Sequence, residues 1–244
     1  MSASAIELRD MNVFRRRTLA VDKVSVTVSQ GSWFGVIGAN GSGKTSLLRA
    51  LAGRLPGTAA ECRIHGVELA DRPEDRAQLL GFMPPAHLLP SALTCRQLFG
   101  LVQPSEDRWR RGIEPVAEAI GLDRLLDRKI GECSTGMRQR IAVACAFATA
   151  NPTIILDEPF NWLDPVAALD LREALRQGVD RGGLTLVTAL HDMLSLIACD
   201  SGILLGQGRV VARLESSDIL QGRQNPFAFE TRIIGMLRQH SLFS

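Results

Sequence analysis

Short, mostly apolar runs alternate along the chain with segments whose apolar residues are spaced three or four apart. The runs Trp33–Ile37, Thr153–Leu156 and Leu184–Leu190 end at Gly38, at Asp157-Glu158-Pro159 and at His191-Asp192. Runs of this kind predict strands buried on both faces of a parallel sheet. The spaced segments predict helices. Ser46-Leu47-Leu48-Arg49-Ala50-Leu51 is amphipathic, and an alanine-rich stretch runs from Arg138 to about Ala148. Asp164 and Pro165 suit an N-cap and first helical position, Val166, Leu169, Ala174 and Leu175 supply an apolar stripe, and Gly178 suits the stop. Phe227, Phe229, Ile233, Ile234, Met236 and Leu237 recur near helical spacing after Asp218.

Length and composition narrow the class. With 244 residues the chain can bury one large α/β core with a smaller lobe. Its formal charge of +2 offers no strong global field for nucleic acid, so no nucleic-acid partner is expected. The start Met1–Ser4 lacks a charged and apolar leader, and apolar stretches such as Ile141–Ala150 reach about half of the ~20 residues a membrane span needs. A cytoplasmic chain is predicted. Cys62, Cys95, Cys133, Cys145 and Cys199 show no C-x-x-C spacing, so neither a disulfide framework nor a zinc site is expected.

The most specific chemistry follows the first run. Gly38-Ala39-Asn40-Gly41-Ser42-Gly43-Lys44-Thr45 stands between a predicted strand and a predicted helix, which is the context a phosphate-binding loop requires. Gly38, Gly41 and Gly43 remove side chains where backbone N–H groups must curl around anionic oxygens. Lys44 supplies a mobile positive charge in a chain with only two other lysines, Lys23 and Lys129. Thr45 offers a hydroxyl to Mg²⁺. The candidate nucleotide-binding set is Gly38, Asn40, Gly41, Ser42, Gly43, Lys44, Thr45 and Ser46, with ATP and Mg²⁺ as ligands; the competing reading is a glycine turn without a ligand.

In open parallel sheets, ligands sit beyond the carboxyl ends of the strands, so the three run ends would bring the glycine loop, an acidic pair and a histidine to one edge. Asp157 would join Thr45 in orienting the Mg²⁺ shell. Glu158 would position and deprotonate an attacking water, and His191 would hold or sense the γ-phosphate. Taken alone, an acidic pair after a strand also reads as a turn, and a histidine there as a surface group. Ser134, Thr135 and Gly136, leading into a helix, form a further candidate anion site.

In this order the motifs resemble those of the ATP-binding subunits of ABC transporters over nearly the whole chain. Cys133–Met137 looks like that family's signature, Ile155–Pro159 like its Walker B strand with catalytic glutamate, Asn161–Asp164 like its D-loop and His191 like its switch histidine. Phe14 stands where an aromatic ring stacks on adenine, the alternative being a packed core residue. The resemblance implies an α/β P-loop ATPase fold: a mostly parallel core sheet with helices on both faces, an antiparallel β subdomain over about Ile6–His65, and a helical lobe. One domain spanning 1–244 is expected, with core segments 1–85 and 151–218, a signature lobe at 86–150 and a tail at 219–244. It further implies a head-to-tail dimer, a homodimer by preference, in which each signature closes over the partner's ATP. Hydrolysis would drive a separate multi-span permease, with this chain peripheral on the inner face of the membrane.

Two departures stand out. Pro85 occupies the place of the family's glutamine after the strand ending in Gly81-Phe82-Met83-Pro84, which predicts a missing contact to the metal shell unless His87 substitutes. Cys133 replaces a leucine, a mild apolar change. Ser134-Thr135-Gly136-Met137, with Gly-Met where many importers show Gly-Gln, looks more like export subfamilies. Trp109 is expected to contact a membrane partner, and the arginines flanking it, like Arg15–Arg17, read as solvated. A soluble assembly ATPase working with cytosolic scaffolds and a weakly hydrolysing ATP clamp are the competing functions.

Overall fold

The computed structural model describes residues 3–181 and 183–241. Its ten described strands are β1 (Ser4–Arg15), β2 (Thr18–Ser29), β3 (Trp33–Ile37), β4 (Glu61–Ile64), β5 (Val67–Glu68), β6 (Gly81–Phe82), β7 (Thr153–Asp157), β8 (Thr185–Leu190), β9 (Ser201–Gly206) and β10 (Arg209–Leu214). The helices are α1 (Lys44–Leu51), α2 (Pro73–Leu79), α3 (Cys95–Val102), α4 (Glu106–Ile113), α5 (Ala117–Ile120), α6 (Leu122–Leu125), α7 (Thr135–Ala148), α8 (Pro165–Asp180), α9 (Met193–Leu196), α10 (Ser216–Gln224) and α11 (Pro226–Ser241).

Six strands form the central sheet in the order β10-β9-β3-β8-β7-β6. All neighbours in it are parallel except β10, which returns antiparallel along β9. The three predicted strands β3, β8 and β7 lie side by side at its centre. Every residue of β3 and β8 is buried, so their apolar runs have no solvent face to alternate with. Trp33 sits within this layer, and its indole Nε1 donates to Thr188 Oγ1 at 2.8 Å, which satisfies the one polar atom its burial would strand.

The expected antiparallel sheet is present, in the order β2-β1-β4-β5. Its buried face, with Ile6, Leu8, Val26 and Ile64, shares one apolar cluster with Leu47, Leu48 and Leu51 of α1. A second cluster lies on the other side of the central sheet and joins α7, α8 and α11 to β7 and β8. Helices α3 to α7 are inserted between β6 and β7. Thr94 opens α3 with a reciprocal capping box to Gln97, and Ser134 caps α7 by accepting from the Met137 N–H.

Two expectations need correction. Trp109 is 1% exposed: its ring packs at 5.4 Å from that of Phe99 under Arg110, so it is core and not a surface contact. Gly178 does not stop α8, which continues to Asp180; a Cβ there would meet Leu184 at 3.1 Å, so Gly178 is used for close packing. The tail packs on the chain's own core through Phe229 and Ile233, while Phe227 is exposed.

Candidate nucleotide and catalytic site

The register of the central sheet aligns the chemistry. Ile37 pairs with Leu190 and Asp157 with Ala189, so the residues that follow all three strands emerge at one edge. From β3 the chain turns through the glycine loop into α1, whose first residues are Lys44 and Thr45. Gly43 precedes the helix at φ 106°, and a Cβ on it would lie 2.4 Å from the Ala20 carbonyl; only glycine fits. The loop and the start of α1 line a cavity of about 420 Å³ shared with Ala20 and Glu158, and Asn40, Gly41, Ser42, Gly43, Lys44, Thr45 and Ser46 all border it. Gly38 is buried behind it, where its carbonyl serves Lys44.

Lys44 is 4% exposed, and its ammonium donates to the carbonyls of Gly38 at 2.7 Å and Ala39 at 3.2 Å. Glu158 Oε1 lies 3.8 Å away. Burial holds the Lys44 ammonium below the usual lysine range, against the opposing pull of the Glu158 and Asp157 carboxylates. Ser42 presents a buried hydroxyl with no hydrogen-bond partner among the described residues, and the helix start leaves backbone N–H groups unpaired by the helix itself. A buried cation, an orphaned hydroxyl and a helix N-terminus around one cavity fit an anionic phosphate chain.

A hard-cation position adjoins it. Thr45 Oγ1 donates to Asp157 Oδ1 at 3.1 Å, an all-oxygen pair of the kind Mg²⁺ takes. Burial pushes the Asp157 carboxyl above its ordinary range; the Thr45 hydrogen bond opposes this and the Glu158 charge adds to it. A cation bound here would relieve that cost.

Glu158 is held in an unusual backbone state. Its φ is 53°, its N–H donates to the Ala189 carbonyl at 3.1 Å, and Asn161 Nδ2 donates to its Oε2 at 2.6 Å. Gln139, buried in α7, donates to the carbonyls of Glu158 at 2.9 Å and Pro159 at 3.2 Å. Glu158 borders both the glycine-loop cavity and a second one of about 430 Å³, which Thr45, Pro85, His87, Asp157 and Asn161 also line. Pro85 therefore faces the metal position without a side-chain donor or acceptor, and the exposed His87 shares that cavity.

Other candidates stand apart from the chain's own glycine loop. Thr135 borders the second cavity, whereas Ser134 and Gly136 border neither. A Cβ at Gly136 would lie 2.8 Å from the Trp162 carbonyl, so this glycine permits the Asn161–Asp164 loop to pack against the start of α7. His191 is exposed at the end of β8 and borders neither cavity. Phe14 is 62% exposed at the end of β1, which excludes the packed-core alternative. Cys133 is buried and its thiol is pushed up chiefly by burial, as an apolar substitute requires. Gln139 and the side-chain role of Asn161 were not legible beforehand, because both depend on which loop folds against them.

The ABC transporter profile matches residues 21–161, more than half of the chain. The chain belongs to the ABC transporter family, as an ATP-binding domain. Members of this family bind ATP with Mg²⁺ and hydrolyse it, and this chain is such an ATPase. It is 32% identical over 215 residues to a hemin import ATP-binding protein of Pseudomonas entomophila, covering 84% of each. It is 29% identical over 238 residues to an energy-coupling factor transporter ATP-binding protein of Bacillus licheniformis, covering 91% of this chain and 84% of that one. Other relatives are longer: the chain spans 66% of a sulfate/thiosulfate import ATP-binding protein of Methylococcus capsulatus. A solved ATP-binding subunit of an ABC transporter has a TM-score of 0.80 at 27% identity, covering 96% of this chain and 99% of that one. These names do not support the expected export subfamily. Met137, on which that expectation rested, is half-buried and packs on the apolar cluster around α7, so core packing accounts for it.

Proposed function

We propose that this ATPase domain powers solute movement through a separate membrane-spanning permease, working as a head-to-tail homodimer on the inner face of the membrane. The observation that carries the reading is Glu158 at the junction of two cavities, 3.8 Å from the phosphate-loop lysine and beside the Thr45–Asp157 pair. In the proposed roles, Lys44 and the loop N–H groups bind the phosphates, with Gly38, Asn40, Gly41, Ser42, Gly43 and Ser46 shaping the cradle. Thr45 and Asp157 hold Mg²⁺, which supplies charge neutralisation at the phosphates. Glu158 orients and deprotonates water, and His191 senses the γ-phosphate from the neighbouring strand end.

Ser134, Thr135 and Gly136 serve the partner's nucleotide, which agrees with the absence of all three from the lining of the glycine-loop cavity. Phe14 offers a free ring face to adenine. Trp162, Val166 and Leu169, exposed by 74%, 67% and 48%, supply an apolar surface beside the Asn161–Asp164 loop that suits a dimer contact. We divide the single domain into core segments 1–85 and 151–218, a helical signature lobe at 86–150 and a tail at 219–244. No described helix is long and apolar enough to cross a membrane, so the permease is a separate chain or segment. The import names of several relatives favour uptake over export.

The test is affinity capture of the tagged Glu158→Gln chain from gently solubilised native membranes with ATP and Mg²⁺. A stoichiometric multi-span companion is expected. Recovery of soluble scaffolds alone would overturn the transport reading in favour of an assembly ATPase.

A further inference from the structure

A buried amide on the signature helix holds the backbone of the water-activating glutamate. Gln139 is 4% exposed in the second turn of α7, and its one Nε2 group donates both to Glu158 O and to Pro159 O. Glu158 is a non-glycine residue at φ 53°, a conformation that persists only where surrounding contacts impose it. Three restraints on its main chain are visible. On one side its N–H is tied to the Ala189 carbonyl of β8; on the other its carbonyl takes the Asn161 N–H of its own turn at 3.3 Å and the shorter bond from the Gln139 amide at 2.9 Å. The side chain is then oriented by Asn161, three residues on in the same turn.

A chain leaving a buried strand must find donors for its carbonyls or lose their hydration without compensation. Here the turn's own Asn161 N–H reaches the Glu158 carbonyl at 3.3 Å, and the shorter bond, together with a bond to the Pro159 carbonyl, comes from another element, so the position of α7 helps to set the peptide planes from which the Glu158 carboxylate is launched. Other polar side chains near the start of α7 face elsewhere: Arg138 donates to the carbonyls of Ile130, Gly131 and Cys133, and Arg140 pairs with Asp164.

We infer that Gln139 is a positioning residue for hydrolysis: it acts through the Glu158 main chain and ties the placement of the water-activating carboxylate to the signature helix. This rests on the reading of Glu158 as the base. It touches neither the glycine loop nor the Thr45–Asp157 pair, so ATP affinity should be independent of it.

The test compares wild type, Gln139→Met, Gln139→Glu and Glu158→Gln as full chains. Methionine keeps length and apolar volume but has no donor. Glutamate keeps shape and sets a carboxylate against two carbonyls. The expected result is a fall in kcat of about 10- to 100-fold for both Gln139 variants, the scale of a misplaced reacting group, with KM and ATP affinity at wild-type values. In the Glu158→Gln background, adding Gln139→Met should leave the residual rate where it was, since the group it positions is gone. Wild-type kcat in either Gln139 variant would overturn the inference. So would parallel loss of kcat, ATP affinity and melting temperature, including failure to fold, because that is the pattern of a structural residue. Full turnover by Glu158→Gln would instead sink the assignment of the base.

Discussion

Thr45 and Asp157 are 112 residues apart in sequence, yet the Thr45 hydroxyl donates to the Asp157 carboxylate at 3.1 Å where β3 and β7 flank β8. The contact pairs the second residue of the nucleotide-loop helix with the last residue of an apolar strand. It costs the apoprotein something, because the carboxylate is largely removed from water without a full counter-charge.

Asp157→Asn should therefore stabilise the nucleotide-free chain once the pH exceeds the folded-state value of this carboxyl, while removing its response to Mg²⁺. The sign follows from the raised carboxyl pKa. The folded state holds this proton more tightly than the unfolded state, so the associated stability is complete below the ordinary aspartate value and is lost as pH rises through the folded-state value. Above the folded-state value that loss is complete, and the neutral amide avoids it. Thermal melts without ATP should show a higher midpoint for Asp157→Asn, and the added stabilisation by ATP with Mg²⁺ over ATP with chelator should vanish. A lower midpoint without ligand would contradict this account.

Glu158→Gln should separate binding from turnover. The Asn161 amide can still donate to the remaining carbonyl oxygen, and Lys44 keeps its bonds to Gly38 and Ala39, so the site stays assembled. The proton acceptor is gone. Turnover should fall by about 10²- to 10⁴-fold, the range for a removed general base, while ATP binding measured by fluorescence titration persists. A variant within a factor of about three of wild type would mean another group activates the water.

Much of this arrangement could be read from the chain, and the limits have physical causes. β3, β7 and β8 were legible because central parallel strands are unbroken apolar runs, and each ends in the chemistry that follows. β9 was harder: Ser201-Gly202-Ile203-Leu204-Leu205-Gly206 has glycine on both sides of its three apolar residues, and its pairing with β3 on one side and β10 on the other makes it a strand. β10 lacks a clean alternation because half of its residues are partly covered, between β2 on one side and α10 and α11 on the other. Trp109 misleads through its place in the lobe that contacts membrane subunits in the family, although Trp109 and Ile113 stand four apart on one helical face and both are buried. Gln139 carries no local signal at all, since its role exists only once the Glu158 turn folds against α7.

Trp109→Ala should damage stability and leave partner recognition intact. The indole is enclosed against Phe99 and the α7 surface, so truncation leaves a large cavity and a cost of about 3–5 kcal/mol. For a chain of this size that corresponds to a fall in melting midpoint of about 10 °C. Below that midpoint, capture of the membrane companion should match wild type. Lost capture by a variant of unchanged stability would restore Trp109 as a contact residue.

Pro85→Gln should raise the hydrolysis rate and lower stability, two changes of opposite value from one substitution. Pro85 sits at φ −61° and ψ 127°, an extended conformation open to any residue, so glutamine fits the backbone without strain. The Leu88 N–H to Pro85 carbonyl bond at 3.0 Å uses only main chain and survives. What the substitution adds is an amide carbonyl and an amide donor in the cavity that Thr45, Asp157 and Glu158 share, within reach of the metal shell or the attacking water. What it removes is the ring that restricts the unfolded chain, a loss of about 0.4–1 kcal/mol. Steady-state ATPase assays across a Mg²⁺ titration should show a higher kcat at a lower half-saturating Mg²⁺ concentration, alongside a slightly lower melting midpoint. If the melting midpoint falls and the rate does not move, proline at this position is tuned for something other than hydrolysis, and His87 becomes the group to replace next.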